Sequence, residues 1–227
     1  FTTQPNRLNQ NTMKWHEAES DPELLELWVA DMDFLPVPEI RDAVINYAET
    51  HIFGYPYPSD ELYQSIIDWE KNQHGYSVDK ASIVLIEGVV PAISTAIQSF
   101  TKEDDAVLIN TPVYPSFARS VRLNNRKLIE NSLVKVNGHF EIDFEQLERD
   151  IVDNDVKLYV FCSPHNPGGR VWTKEELTKV ADLCQKHGVL LVSDEIHQDL
   201  ALYGNKHISL NTISDAYKDF TLVLSSA

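Results

Sequence analysis

The sequence predicts an α/β domain, a mostly parallel sheet with helices on both faces, preceded by an N-terminal arm. Three observations carry this. From about residue 83 onward, strand-like and helix-like runs alternate, the pattern of parallel strands joined by crossover helices. Several strand-like runs are nearly continuous aliphatic stretches, such as Val189-Leu190-Leu191-Val192, which suits strands covered on both faces. The segments rich in Asn, Asp, Gly and Pro follow the strands, where ligands of such sheets bind.

In chain order, residues 1–35 read as an irregular arm that ends in Leu27-Trp28-Val29-Ala30-Asp31-Met32-Asp33-Phe34. Pro36 and Pro38 introduce a helix running to about His51, with Ile40, Val44, Ile45 and Ala48 on one face. Ser59 opens a second helix carrying Leu62, Ile66, Ile67 and Trp69, and Gly75 closes it. Strands are predicted at 83–86, 106–109, 127–132, 157–162, 189–193 and 221–225. Helices are predicted between them at 91–101, 114–124, 143–152, 173–187 and 208–218. Thr173-Lys174-Glu175-Glu176 is a capping box, and Gly188 stops that helix. The expected division is an arm and first helix over 1–50, then one large domain over 51–227 that is incomplete at its C-terminal end.

The 227 residues are 43% hydrophobic and 24% charged, enough for a core without disulfide or metal staples. Against 19 basic side chains stand 35 acidic ones, a formal charge of −16. Such a field repels phosphate backbones and anionic lipid, so neither nucleic acid nor a membrane surface is an expected partner. It does not keep one small anion out of a local nest of backbone N–H groups. Cys162 and Cys184 lack metal-ligand spacing and read as buried thiols, which fits a reducing cytoplasm; no metal is expected. No apolar run approaches 18 residues, so no spanning helix is expected. Phe1–Lys14 is polar and lacks a signal-peptide core, and the absence of an initial Met leads to the expectation of a natural start upstream.

The chemistry-bearing residues gather after the strands. Ser163-Pro164-His165-Asn166-Pro167-Gly168-Gly169-Arg170 is too rich in Pro and Gly for a plain strand-to-helix turn, which needs only one or two of them. Asp194, in Ser193-Asp194-Glu195-Ile196-His197, ends an apolar run and lies 28 residues beyond Asn166. An isolated Asp there is usually a helix cap. One strand–helix–strand unit separates the two loops, which puts both on one crevice. Glu87-Gly88-Val89-Val90-Pro91 enters a helix with Pro91 suited to its first position, and the free amides of that turn favour an anion. Tyr114, between Pro112 and Pro115, follows the second strand; core, surface and crevice placements all remain open for it.

Together these residues resemble the fold-type I pyridoxal-phosphate (PLP) enzymes, the aminotransferase class I/II superfamily, from about Trp28 to the end of the chain. Trp28–Phe34, Phe53-Gly54-Tyr55 and Asp194-Glu195-Ile196-His197 look like the cystathionine β-lyase group of the MalY/PatB type, since ordinary aminotransferases usually carry Tyr where His197 stands. The resemblance implies a PLP-binding large domain whose C-terminal small domain lies outside this chain. It implies that Asp194 holds the pyridine nitrogen protonated, that Asn166 donates to the ring's 3-oxygen, and that Tyr114 stacks on the ring. The amides of Val89 and Val90, with Ser225 or Ser226, would hold the phosphate; His197 would lie beside the ring. Tyr55 would reach the phosphate of a neighbouring subunit, which implies a homodimer. The Schiff-base lysine is expected just after Ala227, and the arginine for the substrate carboxylate in the small domain. A protein truncated there and a chain interrupted at a lysine carrying the cofactor are both open, and the second is expected, because a strand ending at the cofactor makes a poor terminus. The activity implied is β-elimination on cystathionine or another S-substituted cysteine. A class I/II aminotransferase is the alternative enzyme. A PLP-binding sensor domain of a transcriptional regulator is a further alternative, and it would need a basic module upstream of Phe1.

Overall fold

Neighbouring residues of the central strands enter opposite cores, because successive side chains of a strand alternate in direction. In the computed structural model, which describes residues 3–21 and 23–226, strand β1 (Ala106–Thr111) sends Leu108 to one core and Val107 and Ile109 to the other. Strand β5 (Val156–Cys162) does the same with Tyr159 and Phe161 against Leu158, Val160 and Cys162. Both faces therefore need helices. Helices α3 (Val89–Phe100) and α4 (Ser116–Leu123) cover one face; α5 (Phe144–Asp153) and α6 (Lys174–His187) cover the other.

The sheet has the order β2-β1-β5-β6-β7, with every pairing parallel. Its remaining strands are β2 (Lys127–Ser132), β6 (Leu190–Asp194) and β7 (Thr221–Leu224). The chain leaves β1 to one side for β2, then crosses back to place β5 on the other side. That reversal opens a crevice outside the carboxyl ends of β1 and β5. The fold class expected from the sequence is the one observed.

The chain divides into two compact units, 1–57 and 58–227. In the first, Arg7, Lys14 and Trp15 all bond to Asp33, and Arg7 also bonds to Asp31. Hydrogen bonds from Lys14 and then Trp15 hold the Asp33 carboxyl down to about 2. Helix α1 (Pro38–Thr50) forms as expected, but its apolar residues Ile40, Val44 and Ile45 stay exposed, so its periodicity does not mark a face buried within the chain. In the second unit, Ser59 caps α2 (Asp60–His74) by accepting from the Leu62 amide at 3.2 Å.

Three expectations need correction, and one element was not expected. Ile83–Ile86 is no strand: among the described residues it pairs with no other strand, and Val84, Leu85 and Ile86 are exposed. Extended backbone without a neighbour leaves its N–H and C=O groups to water. Residues 208–218 form no continuous helix but two 3-10 turns, Leu210–Thr212 and Asp215–Asp219. Ala216 N, an amide that a continuous helix would send back along its own axis, bonds instead to Ser214 Oγ. Helix α3 begins at Val89 rather than Pro91, which leaves the proline inside the first turn, where its missing N–H costs nothing. A hairpin of β3 (Val134–Val136) and β4 (His139–Glu141) turns at Asn137-Gly138, a local signal not read from the sequence.

The capping box is present in full. Thr173 Oγ1 accepts from Glu176 N at 3.2 Å, and Glu176 Oε2 accepts from Thr173 N at 2.9 Å. Thr173→Ala is expected to lower stability by about 1 kcal/mol in urea unfolding; an unchanged midpoint would show that the cap contributes nothing.

Candidate active site

All five parallel strands end on the same edge, and the predicted loops meet there. Cys162, Asp194 and Leu224 lie side by side in register at the ends of β5, β6 and β7. The ladder continues past the strands: Ser163 N bonds to Asp194 O at 2.9 Å, and Glu195 N to Leu224 O at 2.8 Å. Across the crevice, Tyr114 N bonds to Asn166 O at 3.1 Å, tying the loop after β1 to the loop after β5. The structure thus brings Tyr114, Asn166, Asp194 and Ser225 to one edge. Tyr55 is fully exposed on the first unit. Ala227, after which the lysine is expected, lies outside the described residues.

Asp194 is buried, and its Oδ1 accepts from Ile196 N at 3.1 Å. No α-helix follows, so this is a local turn rather than a helix cap. Its other oxygen has no partner among the described residues. Burial, with the nearby Glu195 charge adding to it, pushes the carboxyl up to about 6 against the hydrogen bond from Ile196. A carboxyl held in this way lacks a cation.

Helix α3 offers anion chemistry. Gly88 caps it at φ 120°, a conformation that L side chains rarely adopt. Ala92 N is the first amide to bond back, to Gly88 O at 3.1 Å. The amides of Val89 and Val90 are therefore free, among the described residues, at the positive end of a 12-residue helix.

In the Ser163–Arg170 loop, a Cβ on Gly168 would stand 2.6 Å from His165 Nδ1 and 3.1 Å from Phe140. This close approach serves the loop's own packing rather than a ligand. Gly168 N donates to His165 Nδ1, and burial pushes the buried imidazole down to about 4. Arg170 lies over Trp172 and bonds to Phe140 O and Glu176 Oε2, joining the loop to the hairpin and to the cap of α6. Asn166 is held through its backbone, by Cys162 Sγ at its N–H and Tyr114 at its carbonyl, so its side-chain amide stays free among the described residues. Cys162 and Cys184 are unpaired and buried, and burial pushes the Cys162 thiol up to about 12. Tyr114 is half-exposed with an edge contact to Phe117, and His197 is half-buried without a side-chain hydrogen bond among the described residues.

Three residues of this region were not singled out in the sequence. Glu195 is fully buried and accepts from Ser193 Oγ, His207 Nε2 and Leu210 N. Gln198 bonds to both Glu70 and Ser225. Glu70 is the one buried residue of α2, a carboxylate on a helix whose apolar stripe pointed elsewhere. Among the described residues no group of side chains is arranged to hold a metal ion, and no helix is long and apolar enough to cross a membrane.

Comparison with known proteins agrees with this geometry. Cystathionine beta-lyase PatB of Bacillus subtilis is 39% identical over 229 residues, covering 100% of this chain and 59% of the relative. Aspartate aminotransferase of the same organism is 32% identical over 206 residues, covering 89% of this chain and 52% of the relative. The crystal structure of cystalysin from Treponema denticola, which contains a pyridoxal 5'-phosphate cofactor, superposes with a TM-score of 0.93 at 37% identity, covering 100% of this chain and 59% of that one. The chain spans just over half the length of these relatives. The family described as aminotransferase class I and II matches residues 22–227. A reversal crevice flanked by Tyr114 and Asn166, a buried Asp194 and a match along nearly the whole sequence have one explanation: the chain belongs to the aminotransferase class I and II family and is closely related to its PatB-type cystathionine β-lyases.

Proposed function

We propose that the full-length protein is a PLP-dependent carbon–sulfur β-lyase that cleaves cystathionine, or a related S-substituted cysteine, to a thiol, pyruvate and ammonia. The observation that carries this is the 39% identity to cystathionine beta-lyase PatB along the whole chain. For cystathionine the reaction consumes one water and releases homocysteine as the thiol.

The residues fit the cofactor on chemical grounds. Asp194 is a buried carboxyl pushed up to about 6, with one oxygen unpaired among the described residues; a protonated pyridine nitrogen is the cation it lacks. Val89 and Val90 offer two free amides for the phosphate, and Ser225 and Ser226 offer hydroxyls. Asn166 has its side-chain amide free for the ring's 3-oxygen, Tyr114 has an exposed face to cover the ring, and His197 would lie beside it. When bound, PLP supplies an electron sink for charge released at the substrate's Cα. Asp194 keeps the proton on the ring nitrogen, without which that sink is weak. Asn166 and Tyr114 would hold the ring, and the amides of Val89 and Val90 would hold its phosphate.

The partner in this reading is a small amino acid. A homodimer, in which Tyr55 reaches the neighbouring subunit's phosphate, is part of it and is supported by the full exposure of that side chain. A cytoplasmic location is supported by two thiols left unpaired. The test is pyruvate release from cystathionine by the purified full-length protein with PLP. Release in step with thiol is expected. Transamination of a keto acid without pyruvate would overturn the lyase and favour the aminotransferase reading, which the 32% identity to an aspartate aminotransferase keeps in view.

A further inference from the structure

One buried side chain beside the site has no part in that chemistry. Gln198 lies on the turn after Asp194, and its Nε2 donates to two oxygens at 2.7 Å each, Glu70 Oε1 on α2 and Ser225 Oγ just past β7. An amide NH2 carries two protons and no lone pair to accept with, so both are committed. Turning the amide over would set its oxygen against the Glu70 carboxylate. Glu70 therefore decides which way Gln198 faces.

The consequence falls on Ser225. A hydroxyl has one proton and two acceptor sites. Gln198 fills one of the acceptor sites, and no described residue accepts the proton. Ser225 is left able to donate from the carboxyl end of β7. The arrangement carries a cost, because Glu70 Oε2 and Gln198 Oε1 are both buried without a partner, and burial pushes the Glu70 carboxyl upward. A contact that served packing alone would be cheaper as an apolar pair.

We propose that Glu70 and Gln198 are positioning residues that make Ser225 a one-way hydrogen-bond donor to a phosphate ester, an inference resting on the proposed cofactor site. Neither touches the reacting atoms.

The experiment uses full-length protein stripped of cofactor and titrated with PLP and, separately, with pyridoxal, which lacks the phosphate. Gln198→Leu and Ser225→Ala are each expected to weaken PLP binding roughly 10- to 100-fold, the range of one hydrogen bond to a charged group. Pyridoxal binding should change little. The double variant should bind PLP no more weakly than Ser225→Ala alone, because Gln198 acts only through that hydroxyl. Glu70→Gln, whose amide can donate as well as accept and so no longer dictates which way Gln198 faces, should weaken PLP binding less than Gln198→Leu does, whereas Glu70→Leu should behave like Gln198→Leu. If Gln198→Leu fails to fold, Gln198→Glu keeps its size and reverses the bond, since a carboxylate can only accept; the same selective loss is expected. Equal losses for PLP and pyridoxal, or additive losses in the double variant, would overturn the proposal. A parent protein that binds no PLP would instead overturn the cofactor reading, and this inference with it.

Discussion

Asp194→Asn in the full-length protein is expected to lower pyruvate release from cystathionine by on the order of a thousandfold, about 4 kcal/mol, the scale of removing one partner from a buried ion pair. Asparagine matches the shape and can still accept from Ile196 N, but it carries no charge to hold a proton on the ring nitrogen. The same substitution should stabilise the cofactor-free protein. In the folded state burial pushes the Asp194 carboxyl up to about 6, whereas in the unfolded chain it titrates at the ordinary value near 4. Between those values the folded form keeps a proton that the unfolded form has released. Stability therefore falls as pH rises through that window, by about 3 kcal/mol once both forms are ionised. The asparagine variant would have no such loss. Urea unfolding of the two cofactor-free proteins should coincide near pH 4 and diverge by roughly 3 kcal/mol at pH 7, with the variant more stable. Adding PLP should close the gap by giving the parent its cation. A pH-independent difference would show that Asp194 is not held protonated by burial, and an active Asp194→Asn would remove it from the chemistry.

The sequence disclosed those parts of the fold and site where one local signal points one way. Five of the six predicted strands form, and in β1, β5 and β6 the reason is local: aliphatic runs between turn signals bury on both faces. Asn166 and Asp194 could be paired because one strand–helix–strand unit separates them, which fixes the edge they share. What escaped depends on partners distant in the chain. Ile83–Ile86 has the composition of a strand but no neighbour to bond. The polar stretch at 208–218 has helical composition but is drawn into contacts with distant partners, Leu210 N to Glu195 and Tyr217 Oη to Asp182. Glu70 was invisible because an acid on an amphipathic helix reads as solvated, and only its distance from Gln198, 2.7 Å across 128 positions, shows otherwise. The Asn137-Gly138 turn, by contrast, is a local signal, since both of its residues take the positive φ that such a two-residue hairpin turn needs.

Glu195→Ala should be the most destabilising single change in the site, costing about 3–5 kcal/mol and lowering the melting temperature by roughly 10 °C. The side chain is fully buried, with three donors converging on two oxygens: Ser193 Oγ and Leu210 N at 2.9 and 3.2 Å on Oε1, and His207 Nε2 at 2.8 Å on Oε2. Alanine would take the shared acceptor away from all three donors in a fully buried site, and a buried donor left unmade costs its full desolvation. Glu195→Gln separates geometry from charge. Its oxygen can take Ser193 and Leu210, and its amide can donate to His207 if the ring carries its proton on Nδ1. Its loss should then be less than half that of alanine. The effect should reach the cofactor, because Glu195 N bonds to Leu224 O, just before Ser225, and the residues on either side of Glu195 are Asp194 and the Ile196 amide that holds it. Glu195→Ala that still folds should therefore bind PLP more weakly than Glu195→Gln. An alanine variant within about 1 kcal/mol of the parent would mean that His207 and the 3-10 turn at Leu210 find other partners, since a loss that small is no more than one ordinary hydrogen bond; the carboxylate would then not be what holds the Asp194 turn in place.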